Sequence, residues 1–162
     1  MVHPHINYCI EVWGSAYQSH INSLVVLQKK AIRIITFSHF QAHTEPLFKK
    51  NRILPLSKLY FLSISLLVFT ELSGHAVINF GFQTHIQTHY HNTRNKHRLT
   101  LPKHNTNYGC KSITHVGPKI FNQLPPAILN SPSPHVFKRK VKHWLFDNTN
   151  FDLSQIIYPH RY

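Results

Sequence analysis

The chain has 162 residues, 42% of them apolar, which suits one domain with its own core and is too apolar for a disordered chain. Lys and Arg number 18 against 5 Asp and Glu, a formal net charge of +13, so a polyanionic partner is the expected reason for tolerating such self-repulsion. The acids are Glu11, Glu45, Glu71, Asp147 and Asp152; only the last two are neighbours, in a loop-like tail, which speaks against the clustered carboxylates that metal-dependent phosphoryl chemistry needs.

Residues 6–13 read as a helical turn or two packed on the helix after them. His3, His5 and Glu11 stand where a secretory signal would carry its apolar stretch, so none is expected. Cys9 and Cys110 are the only cysteines, without C-x-x-C spacing, and suggest a reducing compartment: an intracellular protein, cytoplasmic or nuclear.

Residues 20–36 form the best amphipathic helix, with Ser19 as N-cap. Ile21, Leu24, Val25, Ala31, Ile32 and Ile35 recur at helical spacing and share one face. Lys29, Lys30 and Arg33 fall opposite, near the end where cations suit the helix dipole. They make either a solvated face or a phosphate-contacting one.

Thr44, Glu45 and Pro46 read as N-cap, acidic first turn and early proline of a short helix through Lys49. After Pro55 a helix over 56–72 is apolar on nearly every side and belongs in the middle of a bundle. Its most apolar run, 59–69, is broken by Ser63 and Ser65 and falls short of the roughly 20 residues a membrane span needs, so no membrane association is expected. Gly74 can supply the left-handed residue that ends this helix.

Composition shifts near Val77. Residues 80–115 are rich in His, Asn, Thr, Lys and Arg and read as a basic irregular arm with room for one hairpin. Residues 116–126, with Pro118, Pro125 and Pro126, read as a rigid turn that docks Ile120, Phe121 and Leu124 on the core. Ser133 and Pro134 start a last helix. It gathers Val136, Phe137, Val141, Trp144 and Leu145 on one face and Lys138, Arg139, Lys142 and His143 on the other. The expected fold is therefore mostly α: a small helical bundle (1–76), a basic irregular arm (77–115) and a Pro-rich turn with a C-terminal helix and fraying tail (116–162).

Chemistry-bearing patterns are few. His85, His89 and His91 include an i, i+4 pair, but no Glu follows His85 as in a helical zinc motif, and among fifteen histidines some fall at ligand spacing by chance. No metal site, cofactor or small-molecule substrate is expected, and there is no nucleophile motif or P-loop. What remains is cations interleaved with rings: Arg94, Lys96, Arg98 and Lys103 beside Tyr90, and Lys138, Arg139 and Lys142 beside Trp144. Cations neutralise phosphates, and rings can stack on unpaired bases; the competing reading is solvated basic loops with Trp144 in the core, and for Trp144 it is the favoured one.

Several runs then become familiar in order. Pro4, His5, Tyr8, Trp13 and Gly14 precede Leu27, Gln28, Lys29, Ala31 and Arg33; Asn92, Thr93 and Arg94 come next; then Gly117, Pro118, Phe121, Asn122, Leu124 and Pro125. Over about residues 3–145 this resembles the segment after the palm domain in LINE-type (non-LTR) retrotransposon reverse transcriptases. The resemblance implies a thumb-like, C-terminal region that helps hold template RNA and target DNA. The family's catalytic palm, with its paired aspartates, has no counterpart here, so no enzymatic activity is expected of this chain. The expectation is a non-catalytic fragment of an RNA-directed DNA polymerase that contacts single-stranded RNA or DNA with low sequence preference. Its cations would come from Lys29, Lys30, Arg33, Arg94, Lys96, Arg98, Lys138, Arg139 and Lys142. The alternatives are an inert transposon relic and, from another class, a His-based metal-binding module or metalloenzyme.

Overall fold

The computed structural model describes residues 3–88 and 96–148. They are mostly helical, and among them the only β pairing is an isolated antiparallel bridge, Thr84 to Leu99. Helices α1 (His3–Asn7) and α2 (Ile10–Trp13) flank Cys9, whose φ of 49° breaks the run. Then come α3 (Gln18–Ile35), α4 (Thr44–Lys50) and α5 (Leu56–Leu72). A short α6 (His85–Thr88) and a 3-10 turn at Gly109–Lys111 lie in the arm, and α7 (Ile113–Phe121), α8 (Pro126–Leu129) and α9 (Pro134–Asp147) close the fold.

The helix that is apolar all round is the centre. Leu59, Tyr60, Phe61, Leu62, Ile64, Val68 and Phe69 of α5 are all buried. Helices α7 and α9 pack along it, and α2 and α3 also contact it. Phe137 of α9 links two elements, stacking on Phe69 at 4.1 Å and Phe121 at 6.2 Å. Trp144 stacks on Phe61 at 5.8 Å, so this ring serves the rim of the core. Gly14 lets the N-terminal turns close on α5, because a Cβ there would overlap the Tyr60 ring.

Helix ends reflect local chemistry. Gly74 ends α5 with φ +73°, as expected, and His75 N–H donates to Thr70 O at 2.8 Å while Gly74 N–H donates to Glu71 O at 3.0 Å. The same two bonds end α3 and α4, but there Phe37 (φ 50°) and Arg52 (φ 53°) take the left-handed position. Ser133 caps α9 by accepting from Val136 N–H, and Pro134 is its first residue, also as expected. The side-chain caps expected of Ser19 and Thr44 do not form; Tyr17 and His43 hold the cap positions with extended backbone and no side-chain bond.

Two expectations are corrected. Residues 113–121 are a helix, with Pro118 inside it, where a rigid turn was expected from 116. An interior proline costs about 3 kcal/mol. Burial of Val116, Ile120 and Phe121 against α5 returns about 1.5–3 kcal/mol each and outweighs that cost. Gly117 permits the approach, since a Cβ there would lie 3.0 Å from Phe82 and Val68.

The second correction concerns the buried face of α3. Leu24 and Ile35 are exposed, while Gln28 and Ile32 are buried and Ile21 and Val25 pack on the core. Gln28 is drawn inward because both ends of its amide are satisfied there. It donates to Leu54 O at 3.1 Å and accepts from Leu56 N–H at 2.9 Å, holding the connector that leads into α5.

Candidate nucleic-acid interface

The cations fall into separate groups. Lys29 and Lys30 are exposed on α3. Arg33, one turn on, is half-buried and donates from Nε to Ala42 O at 2.9 Å, so part of its guanidinium is spent on holding the α3–α4 connection. Lys138, Arg139 and Lys142 are exposed on α9, and Lys142 lies 6.0 Å from the Phe146 ring one turn on. Lys96 is half-buried and Arg98 exposed in the arm; Arg94 lies outside the described residues. Helices α3 and α9 each contact α5, so the three groups stand on three separate elements around one core.

Carboxylates do little to neutralise them. Among the described residues the one ion pair is His143 Nδ1 to Asp147 at 2.9 Å, on the exposed face of α9. Glu71 is otherwise employed: its two oxygens accept from Phe80 N–H at 2.8 Å and Phe82 N–H at 2.9 Å, turning the chain from α5 into the arm. Lys29, Lys30, Lys138, Arg139 and Lys142 have no carboxylate partner among the described residues.

The arm is irregular but anchored. His85 N–H donates to Arg98 O and Ile86 N–H to Lys96 O, both at 3.0 Å, and Thr100 N–H donates to Gln83 O at 2.8 Å. These bonds surround the isolated antiparallel bridge of Thr84 and Leu99; residues 89–95, which would complete the hairpin expected here, lie outside the described residues. Leu99 is its anchor, 1% exposed, and Asn122 grips both sides of that residue's backbone. Asn122 Oδ1 accepts from Leu99 N–H at 2.9 Å, and Nδ2 donates to Leu99 O at 3.0 Å. The grip fixes where Lys96 and Arg98 leave the core. Beside Arg98, a cleft of about 680 Å³ opens, lined by apolar residues such as Phe69, Phe121 and Leu129 and equally by polar ones such as His97, Asn122 and Asn130.

Three residues have roles that composition and periodicity do not disclose. Asn122 sits within the Gly-Pro-x-x-Phe-Asn run but has no periodic signal for its grip on the arm. Glu71 is a lone acid at the end of an apolar helix. Lys58, by pattern one more surface cation, caps the end of α9 by donating to Leu145 O and to Asn148 O at 2.8 Å. Burial holds its ammonium below the usual lysine value; Glu45 opposes that shift and Lys49 adds to it.

Of the histidines singled out for metal binding, His85 lies on α6, and His89 and His91 lie outside the described residues. Among the described residues no group of three or more His, Cys, Asp or Glu is placed to hold a metal ion. Among them, too, no helix is long and apolar enough to cross a membrane. No family model, curated protein or solved structure matches the chain.

Proposed function

We propose that this chain is a non-catalytic module that holds single-stranded RNA or DNA by charge, with little sequence preference. In this reading it corresponds to the region after the palm of a LINE-type reverse transcriptase and works inside the cell, in the cytoplasm or nucleus. The observation that carries the proposal is the set of exposed cations on α3, the arm and α9. They stand on a chain of net charge +13, and carboxylates leave them unneutralised among the described residues. The parent polymerase activity rests on the ordered resemblance of the motifs.

The test is a salt titration of binding to a labelled single-stranded oligonucleotide by fluorescence anisotropy. Each neutralised phosphate contributes about −0.7 to the slope of log affinity against log salt, so five contacts give about −3.5. Lys138→Ala, Arg139→Ala and Lys142→Ala together should flatten the slope by about 2. The arm triple Arg94→Ala, Lys96→Ala and Arg98→Ala should act similarly. Lys49 and Lys50, exposed at the end of α4, are the comparison pair, and their removal should matter less. Lys58 is unsuitable for that purpose because it caps α9. Affinity indifferent to salt, or slopes unmoved by both triples, would end this reading.

The same preparation should extend no primer on an RNA template with Mg²⁺. Two-metal chemistry needs clustered carboxylates; among the described residues Glu11, Glu45, Glu71 and Asp147 stand on four different helices, and Asp152 lies outside those residues. Extension that disappears on Asp147→Asn would overturn the non-catalytic assignment.

A further inference from the structure

The two cysteines sit in different chemical settings. Cys110, in the 3-10 turn, places Sγ 2.7 Å from Nε2 of His104. Its other polar neighbour is Thr106 O at 3.6 Å. Cys9 is the more exposed of the two and has no hydrogen-bonded imidazole among the described residues.

The surroundings hold this pair together. Gly109 lets His104 close on the turn, because a Cβ there would lie 2.8 Å from His104 Cβ. Thr106 braces the turn from the other side, accepting from Gly109 N–H at Oγ1 (3.1 Å) and from Cys110 N–H at its carbonyl (3.3 Å). The His104 ring packs edge-on against His115, centroids 4.0 Å apart at 71°. His115 is 6% exposed; its Nδ1 meets Pro102 O at 3.3 Å, and its Nε2 is buried with no hydrogen-bond partner. Burial, with Lys119 and His104 adding to it, holds His115 below the ordinary imidazole value. The ammonium of Lys111, next in sequence, lies over the Tyr17 ring at 3.0 Å.

We propose that Cys110 is a reactive thiol with His104 as its base, and that hydroperoxides oxidise it to a sulfenic acid ahead of Cys9. A thiolate is the nucleophile, and an imidazole within hydrogen-bond reach of the sulfur is the usual means of producing it. His104 Nε2 takes the Sγ proton. A sulfur lone pair then attacks one oxygen of the peroxide, the S–O bond forms and the O–O bond breaks. The leaving hydroxide, or alkoxide, takes the proton back from His104 and departs as water or alcohol. Sulfur loses two electrons and the peroxide gains them. Accessibility alone predicts the opposite order, since Cys9 is the more exposed thiol.

The experiment uses the full chain as Cys9→Ser and Cys110→Ser variants, each leaving one thiol, treated with hydrogen peroxide at pH 7. Sulfenic acid is trapped with dimedone and followed by mass spectrometry. Cys110 should be labelled about ten-fold faster than Cys9 or more, in line with an activated thiol. In guanidinium, where the pair is dispersed, the two rates should become equal. His104→Gln in the Cys9→Ser background should reduce the native rate to that of Cys9. If that variant fails to fold, the comparison of native with denatured protein carries the test. Equal native rates, a faster Cys9, or a rate ratio that survives denaturation would overturn the proposal.

Discussion

Replacing Asn122 with Ala removes one side chain and strands two backbone groups. In the native protein its amide accepts from Leu99 N–H at 2.9 Å and donates to Leu99 O at 3.0 Å, and Leu99 is 1% exposed. Truncation leaves that donor and that acceptor without their partner in a place water reaches poorly. A stranded buried group costs about 1–3 kcal/mol, so the pair should cost about 2–4 kcal/mol after partial relaxation. For a chain of this size each kcal/mol moves the midpoint by about 2–4 °C, which puts the expected loss near 10 °C. Asn122→Asp sharpens the reasoning: a carboxylate can still accept from Leu99 N–H but faces Leu99 O with like charge, so this near-isostere should be no better than Ala. Two assays separate the local effect from a general one. Thermal melts followed by circular dichroism give the stability. Amide hydrogen exchange should show protection lost at Leu99 and at the paired arm residues 85 and 86 before it is lost in α5. A melt unchanged within 2 °C or so, with Leu99 still protected, would refute the claim that Asn122 anchors the arm.

Two further perturbations probe the core and its pH response. Leu62→Asp places an unpaired charge in the buried helix α5 and should cost more than about 4 kcal/mol, abolishing the cooperative melt; a native-like melt would remove Leu62 from the core. His115 is held below the ordinary imidazole value, mainly by burial, so the unfolded chain binds its proton at higher pH than the native one. Its contribution to stability is complete above about pH 6.5 and is lost as pH falls below that value. His115→Gln should therefore show a shallower loss of stability between about pH 6.5 and 5 than the parent in matched denaturant titrations. Parallel curves would show that His115 takes no part.

The mostly helical fold was legible from the chain because it depends on short-range pattern. Residues 56–72 carry apolar side chains on every side, and such a helix has nowhere stable to sit except the middle. Its end was legible because Gly74 is a glycine, whereas α3 and α4 end on Phe37 and Arg52, which adopt φ near 50° without any compositional hint. The start of α9 was equally local, a Ser cap followed by Pro.

What tertiary structure alone decided has partners distant in sequence. Pro118 argues for a turn until its neighbours Val116, Ile120 and Phe121 are seen against α5, where burial exceeds the proline's cost. Gln28 looks like a solvent residue until the backbone of Leu54 and Leu56, 26 and 28 positions away, satisfies its amide. The charge of the candidate interface was plain from composition. Which cations are free for a phosphate was not: Lys58 and Arg33 are engaged by carbonyl oxygens that only folding brings to them, whereas Lys138, Arg139 and Lys142 stay exposed because the other side of α9 supplies what the core needs. Periodicity is a property of one segment and can be read along it. A hydrogen bond between Asn122 and Leu99 exists only once burial in the core has removed the competing water, and one between Cys110 and His104 only once a turn has closed and brought the two side chains together.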